Sequence, residues 1–217
     1  MKDRVLLKKL RMDSKDFVTA AELREYSKGM KINYNSAIGH FITRGHMIRI
    51  FKGIFYVKTL DEMMFGRIKY SHLELIAKGL ELKGVKNWYF GVYSGLKLNN
   101  MTHEYFSVDY VVNDKLLRVN PMKISGHRVR FLKLKSSLFS FGVINKGAVL
   151  YSDPEKTILD FIYIWRYSGL QKERIIADVG DWIGNLSWSK FLGYSKNYPR
   201  TVQVIAREIV CKHKVVA

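Results

Sequence analysis

A single cysteine, Cys211, three prolines and only 19 acidic side chains against 37 basic ones mark what this chain of 217 residues has little of. One thiol excludes an internal disulfide, so apolar burial has to hold the fold, and 47% hydrophobic residues supply it. No run reaches the ~18 apolar residues that a membrane-spanning helix needs. Residues 1–12 alternate Lys and Arg with Leu and Val, unlike the apolar core of a signal peptide. A soluble, cytoplasmic protein with no membrane partner is expected. Glycine-rich loops ending in Lys-Ser or Lys-Thr are missing, which excludes a P-loop ATPase. His40, His46, His72, His103, His127 and His213 share no ligand-like spacing with one another or with Cys211, so neither a structural zinc nor another cofactor is expected.

Positive charge is what the chain has in excess. The formal net charge is +18, and residues 1–60 carry 13 basic against 5 acidic side chains where residues 61–217 carry 24 against 14. Per residue, the N-terminal part is the more positive, and such a field favours a polyanionic partner.

That part reads as a winged helix-turn-helix. Residues 4–12 form a first helix with Val5, Leu6, Leu7 and Leu10 turned inward. Thr19 caps a second that stops at Gly29. After Met30-Lys31-Ile32 a third helix runs from about Asn33 to Arg44 and ends at Gly45. At 100° per residue, Tyr34, Ala37, Ile38, Phe41 and Ile42 share one face. Asn33, Asn35, Ser36, Gly39, His40, Thr43 and Arg44 fall on the other face and its flanks. Amides bond adenine, guanidinium bonds guanine, and hydroxyls serve base or phosphate, so Asn33, Asn35, Ser36, His40 and Thr43 are the candidate base readers. A hairpin follows, residues 47–51 and 54–57 around Lys52-Gly53. Pairing Ile50 with Phe55 and Ile48 with Val57 predicts one apolar face, with Arg49 and Tyr56 on the other and Lys52 at the tip. Lys31, Arg44, Arg49 and Lys52 are the candidate phosphate ligands.

Beyond a soft boundary at residues 58–68 helix and strand signals alternate, without repeats or a proline-rich linker. The organisation expected is a winged helix over 1–60 and an α+β domain over 61–217. Helices are expected at 71–82, in the segment after Tyr93, and at 154–169, 173–183, 188–192 and 200–212. Strand candidates cover 87–92, 105–112, 116–119, 122–125, 127–134, 139–144 and 148–151, with connections short enough to predict a mixed, mostly antiparallel sheet covered by the C-terminal helices. Ser152 and Glu155 have capping-box spacing ahead of the helix at 154–169. Arg128 and Arg130 share a strand face, and a bulge after Leu132 would bring Lys133 and Lys135 onto it, making a basic row able to track a nucleic-acid backbone or to guard a sheet edge.

Catalysis has one sharp reading: Asp109, Asp153, Glu155 and Asp160 beside Lys156 supply the residue types of a metal-dependent nuclease. Helix-end acids explain the same residues more simply, and no catalytic or metal residue is assigned. Trp88, Trp165, Trp182 and Trp188 stand in apolar periodic segments and read as core, and Cys211 as an inert thiol.

Three segments carry a family resemblance. Tyr89-Phe90-Gly91-Val92-Tyr93-Ser94-Gly95-Leu96-Lys97-Leu98 resembles the strand, short helix and Leu-rich turn of AbiEi-type antitoxins. Residues 147–169, with Tyr151-Ser152-Asp153-Pro154-Glu155-Lys156-Thr157-Ile158-Leu159-Asp160, are similar to that family's strand-then-helix signature, and Gly53-Ile54-Phe55-Tyr56-Val57 to its wing. Leu98-Asn99-Asn100 stands where the family has His-Gly. The resemblance implies a non-enzymatic transcriptional autorepressor and antitoxin of an abortive-infection operon. Its partners would be double-stranded DNA, as inverted repeats in its own promoter, and a nucleotidyltransferase toxin. A protein–protein adaptor that docks through the winged helix is the remaining alternative.

Overall fold

A computed structural model describes residues 2–216, with side chains from 4 to 213. The chain is α+β and divides into two compact units, residues 1–86 with 123–127, and residues 87–122 with 128–217.

The first unit opens with α1 (Lys2–Met12), β1 (Phe17–Thr19), α2 (Ala20–Gly29), α3 (Tyr34–Thr43), β2 (Met47–Phe51) and β3 (Ile54–Val57). Thr19 starts α2 through a reciprocal cap: its hydroxyl accepts the Glu22 N–H at 3.3 Å, and Glu22 accepts the Thr19 N–H at 2.8 Å. Lys31, at φ 53°, makes the reversal between α2 and α3 without a glycine. Leu6, Leu10, Val18, Leu23, Phe41 and Phe55 form the core beneath the helices. The strands pair antiparallel in the order β1-β3-β2. β1 is a strand that residue patterning did not mark, three residues being too few for an alternation to register.

The hairpin departs from its expected pairing. Phe51 faces Ile54 across Lys52-Gly53, but the register then slips, so Arg49 faces Phe55, Ile48 faces Tyr56 and Met47 faces Val57. A bulge at Ile50 absorbs the extra residue and leaves Ile50 and Phe51 both buried. The cause is a further layer, α4 (Leu60–Phe65) and α5 (His72–Leu82). On α5, a Cβ at Gly79 would stand 2.6 Å from both Ile50 Cγ2 and Phe51 Cε2, so the hairpin's second face is covered by helix. Tyr56, expected in solvent, is fully buried, and its hydroxyl donates to Glu62 at 2.5 Å.

The other unit holds β4 (Trp88–Phe90), α6 (Tyr93–Leu98), β5 (Val108–Asn113), β7 (His127–Lys133) from Arg128 onward, β8 (Val143–Lys146), β9 (Val149–Ser152), α7 (Pro154–Tyr167), α8 (Lys172–Val179), α9 (Trp188–Ser195) and α10 (Arg200–Val216). With β6 (Met122–Ile124) the sheet order is β6-β7-β5-β4-β9-β8. It is mixed: β4 pairs antiparallel with β5 and β8 with β9, while β4 runs parallel to β9 and β5 to β7. The parallel pairings arise because the connections are longer than local turns; between β5 and β7 the chain makes a loop and β6 before returning in the same direction. Residues 116–119 form no strand. Asn113 is buried and accepts the Lys115 and Leu116 N–H groups while donating to Leu116 and Leu132 carbonyls, which satisfies that backbone inside a turn. Residues 136–139 coil as a 3-10 turn ahead of β8. α7 is capped by Asp153, not Ser152: the carboxylate accepts the Lys156 N–H at 2.9 Å, and Pro154 takes the first helical position, where no N–H is needed. Tyr89, Val92 and Val112 of the sheet side share one apolar cluster with Ile158, Ile175, Phe191 and Ile205 of α7 to α10, so the C-terminal helices cover one face.

Candidate nucleic-acid interface

α3 lies across the helical core by Ala37, Ile38 and Phe41, all buried. Turning outward from that stripe, Asn35, Ser36, Gly39, His40, Thr43 and Arg44 are exposed, as is Asn33 at its start. Gly39 has nothing within 4 Å of the place a Cβ would occupy. The ridge thus presents amide, hydroxyl, imidazole and guanidinium groups on a rigid element. Asn33 also caps the helix, its side-chain oxygen accepting the Ser36 N–H at 3.0 Å, so only its amide nitrogen stays available to a base.

The phosphate candidates surround this ridge in sequence. Lys31, Arg49 and Lys52 are exposed. The Arg49 guanidinium lies over the Phe55 ring, 5.6 Å from its centre, which fixes the stem and leaves the donors to solvent. The wing is short and tied down, since the Gly53 carbonyl accepts the Ala20 N–H at 2.7 Å; Lys52 therefore projects from a turn braced against the start of α2.

On β7, Arg128 and Arg130 are exposed and alternate with buried Val129 and Phe131. The expected bulge is absent: pairing with β5 runs unbroken from Val108–Arg128 to Asn113–Lys133, so Lys133 takes the opposite face and Lys135 lies past the strand end. A single four-residue basic row does not form.

Of the acids considered for nuclease chemistry, Asp153, Glu155 and Asp160 are engaged by protein donors. Asp153 pairs with Lys190 at 2.9 Å and accepts from Tyr194 at 3.2 Å; Glu155 pairs with the same Lys190 at 3.0 Å and accepts the Ser187 N–H. Although burial opposes its charge, the two carboxylates hold the Lys190 ammonium above its ordinary value. Asp160 is sealed within the unit, accepting from Tyr89 and Tyr198, each at 2.7 Å, with Lys156 at 3.6 Å. Burial pushes the Asp160 carboxyl up and the Lys156 ammonium down, each opposed by the other. This arrangement organises the start of α7. Trp165 and Trp182 pack on Phe161, in keeping with core positions, while Cys211 is exposed on α10.

Sequence reasoning missed two pairings. His72 and His127, in the first unit, stack with ring centres 3.8 Å apart; 55 positions of separation hid them. Arg11 and His46 meet through Lys58: the Arg11 Nε donates to the Lys58 carbonyl at 3.0 Å, and the Lys58 N–H donates to the His46 carbonyl at 2.9 Å.

No protein-family model matches the chain, and no curated protein matches it. Among solved structures it is similar to the RV2827C protein from Mycobacterium tuberculosis, with 11% identity, a TM-score of 0.58 and coverage of 94% of this chain and 74% of that one. At that identity the likeness is one of fold, and it spans both units.

Proposed function

We propose that this chain is a sequence-specific DNA-binding transcription regulator that lays α3 in a major groove. Asn35, Ser36, His40 and Thr43 read base edges, Asn33 does so through its amide nitrogen alone, and Lys31, Arg44, Arg49 and Lys52 hold phosphates. The observation that carries this reading is the continuous exposed polar face of α3, set in the order helix, strand, helix, helix and hairpin. The net charge of +18 supports it. On the resemblance of residues 89–98 and 147–169 to AbiEi-type antitoxins, the regulator acts in the cytoplasm as the autorepressing antitoxin of an abortive-infection operon, opposing a nucleotidyltransferase toxin.

Gel retardation tests the first step. A duplex from the chain's own promoter is expected to be retarded at low salt, and an Asn35→Ala, His40→Ala double variant to lose the preference for it over a scrambled duplex. Failure to retard any duplex at low salt would return the winged helix to an adaptor role.

A further inference from the structure

An open groove of about 660 Å3 in the first unit is lined by Arg4, Lys8, Arg11, Met12, His46 and Leu60, among others, with no carboxylate among the described residues that line it. The three α1 cations stand at i, i+4 and i+7, so they share one stripe, separated by roughly 6 and 4.5 Å along the axis. His46 faces the same groove and is held to Arg11 through Lys58, as described above.

Two details point to an anion. Arg11 Nη2 and His46 Nδ1 are both buried without a hydrogen-bond partner among the described residues. Arg11 has no ion pair among them either, although carboxylates compensate other cations of this unit, as Glu22 does Lys15 and Asp16 does Lys69. The positive charge around the ring is dense: besides burial, Arg11, His40, Arg44 and Lys58 all disfavour its protonation. A guanidinium nitrogen and an imidazole nitrogen left without a protein partner at the buried floor of the groove, with Arg4 and Lys8 on its wall, make the kind of donor set that phosphate oxygens satisfy.

We propose that this groove binds a phosphate group, with Arg11 and His46 as inner ligands and Arg4 and Lys8 as outer cations. The phosphate comes from a small phosphate ester or from a nucleic-acid backbone. The site is independent of base reading by α3, because inorganic phosphate alone tests it.

The experiment follows the His46 ring resonances of the full chain by NMR during titration with inorganic phosphate, with chloride at matched ionic strength as the reference. A saturable shift is expected with phosphate and not with chloride, accompanied by a rise in the ring's protonation. Arg11→Gln is expected to weaken it roughly tenfold or more, from the loss of charge-assisted hydrogen bonds. Lys8→Gln, at an exposed position that leaves the core untouched, weakens it less and serves if Arg11→Gln fails to fold. A second titration with a duplex separates the sources. A duplex that moves His46 in competition with phosphate identifies the backbone; a silent duplex identifies a small ester. His46 resonances unmoved by phosphate, a response unchanged in Arg11→Gln and Lys8→Gln, or movement with duplex alone overturns the site. A chain that retards no duplex but keeps the phosphate response sinks only the regulator reading.

Discussion

Lys31 bends the chain between α2 and α3 at φ 53°, a conformation glycine adopts more easily. If Lys31 holds a phosphate, its side chain serves binding at a cost in stability, so the two should separate. Lys31→Gly is expected to raise unfolding stability by about 0.5–1 kcal/mol in urea while weakening duplex binding. Next to it, the roles of Asn35 and Arg49 should divide differently. Asn35→Ala relaxes preference at one base by about 1–3 kcal/mol, read by competition among single-base duplex variants. Arg49→Ala weakens every sequence alike and flattens the salt dependence. His46 adds a pH effect. Burial, then Arg11, His40, Arg44 and Lys58, hold its imidazole below its ordinary value. Below about 6.5 the unfolded chain therefore takes up the proton first, so the stability contributed by the neutral ring is complete above that pH and is lost as pH falls toward the folded value. His46→Gln should flatten that decline between about pH 7 and 5, measured as urea midpoints.

Among the elements, α2, α3 and the hairpin were legible because each has its own periodicity and punctuation: Thr19 and Gly29, Asn33 and Gly45, Lys52-Gly53. Ser36, His40 and Thr43 could be assigned to one face, with Asn35 on its flank, because 100° per residue leaves no freedom once the helix exists. The slipped register of β2 and β3 was not legible, since it depends on α5 packing against Ile50 and Phe51 from nearly thirty positions away. Gly79→Ala tests that dependence: with no room for a methyl, it should destabilise by about 1–3 kcal/mol, whereas the same change at exposed Gly39 meets no atom and is expected to stabilise α3 by about 1 kcal/mol. Thermal or urea unfolding of the two variants reads the contrast.

Across the whole molecule, charge makes the broadest prediction. If Lys31, Arg44, Arg49 and Lys52 are the phosphate ligands, the logarithm of duplex affinity should fall against the logarithm of salt concentration with a slope of roughly −3 to −4. A steeper slope that an Arg128→Ala, Arg130→Ala double variant reduces would bring β7 into the interface. An unaltered slope in that variant leaves the two arginines as solvated strand residues.

From residue order alone came the α+β class, the polar ridge of α3, the excess of positive charge and most helix positions, because these follow from spacing, capping and counting. Only tertiary structure decided that Tyr56 lies buried against Glu62, that Asn33 caps its helix, that β5 and β7 run parallel, and that Arg11 and His46 meet in one groove. The last two depend on what a distant segment places opposite a strand or side chain, and periodicity along the chain carries no record of that; the first two are local contacts that the spacing of apolar residues does not encode.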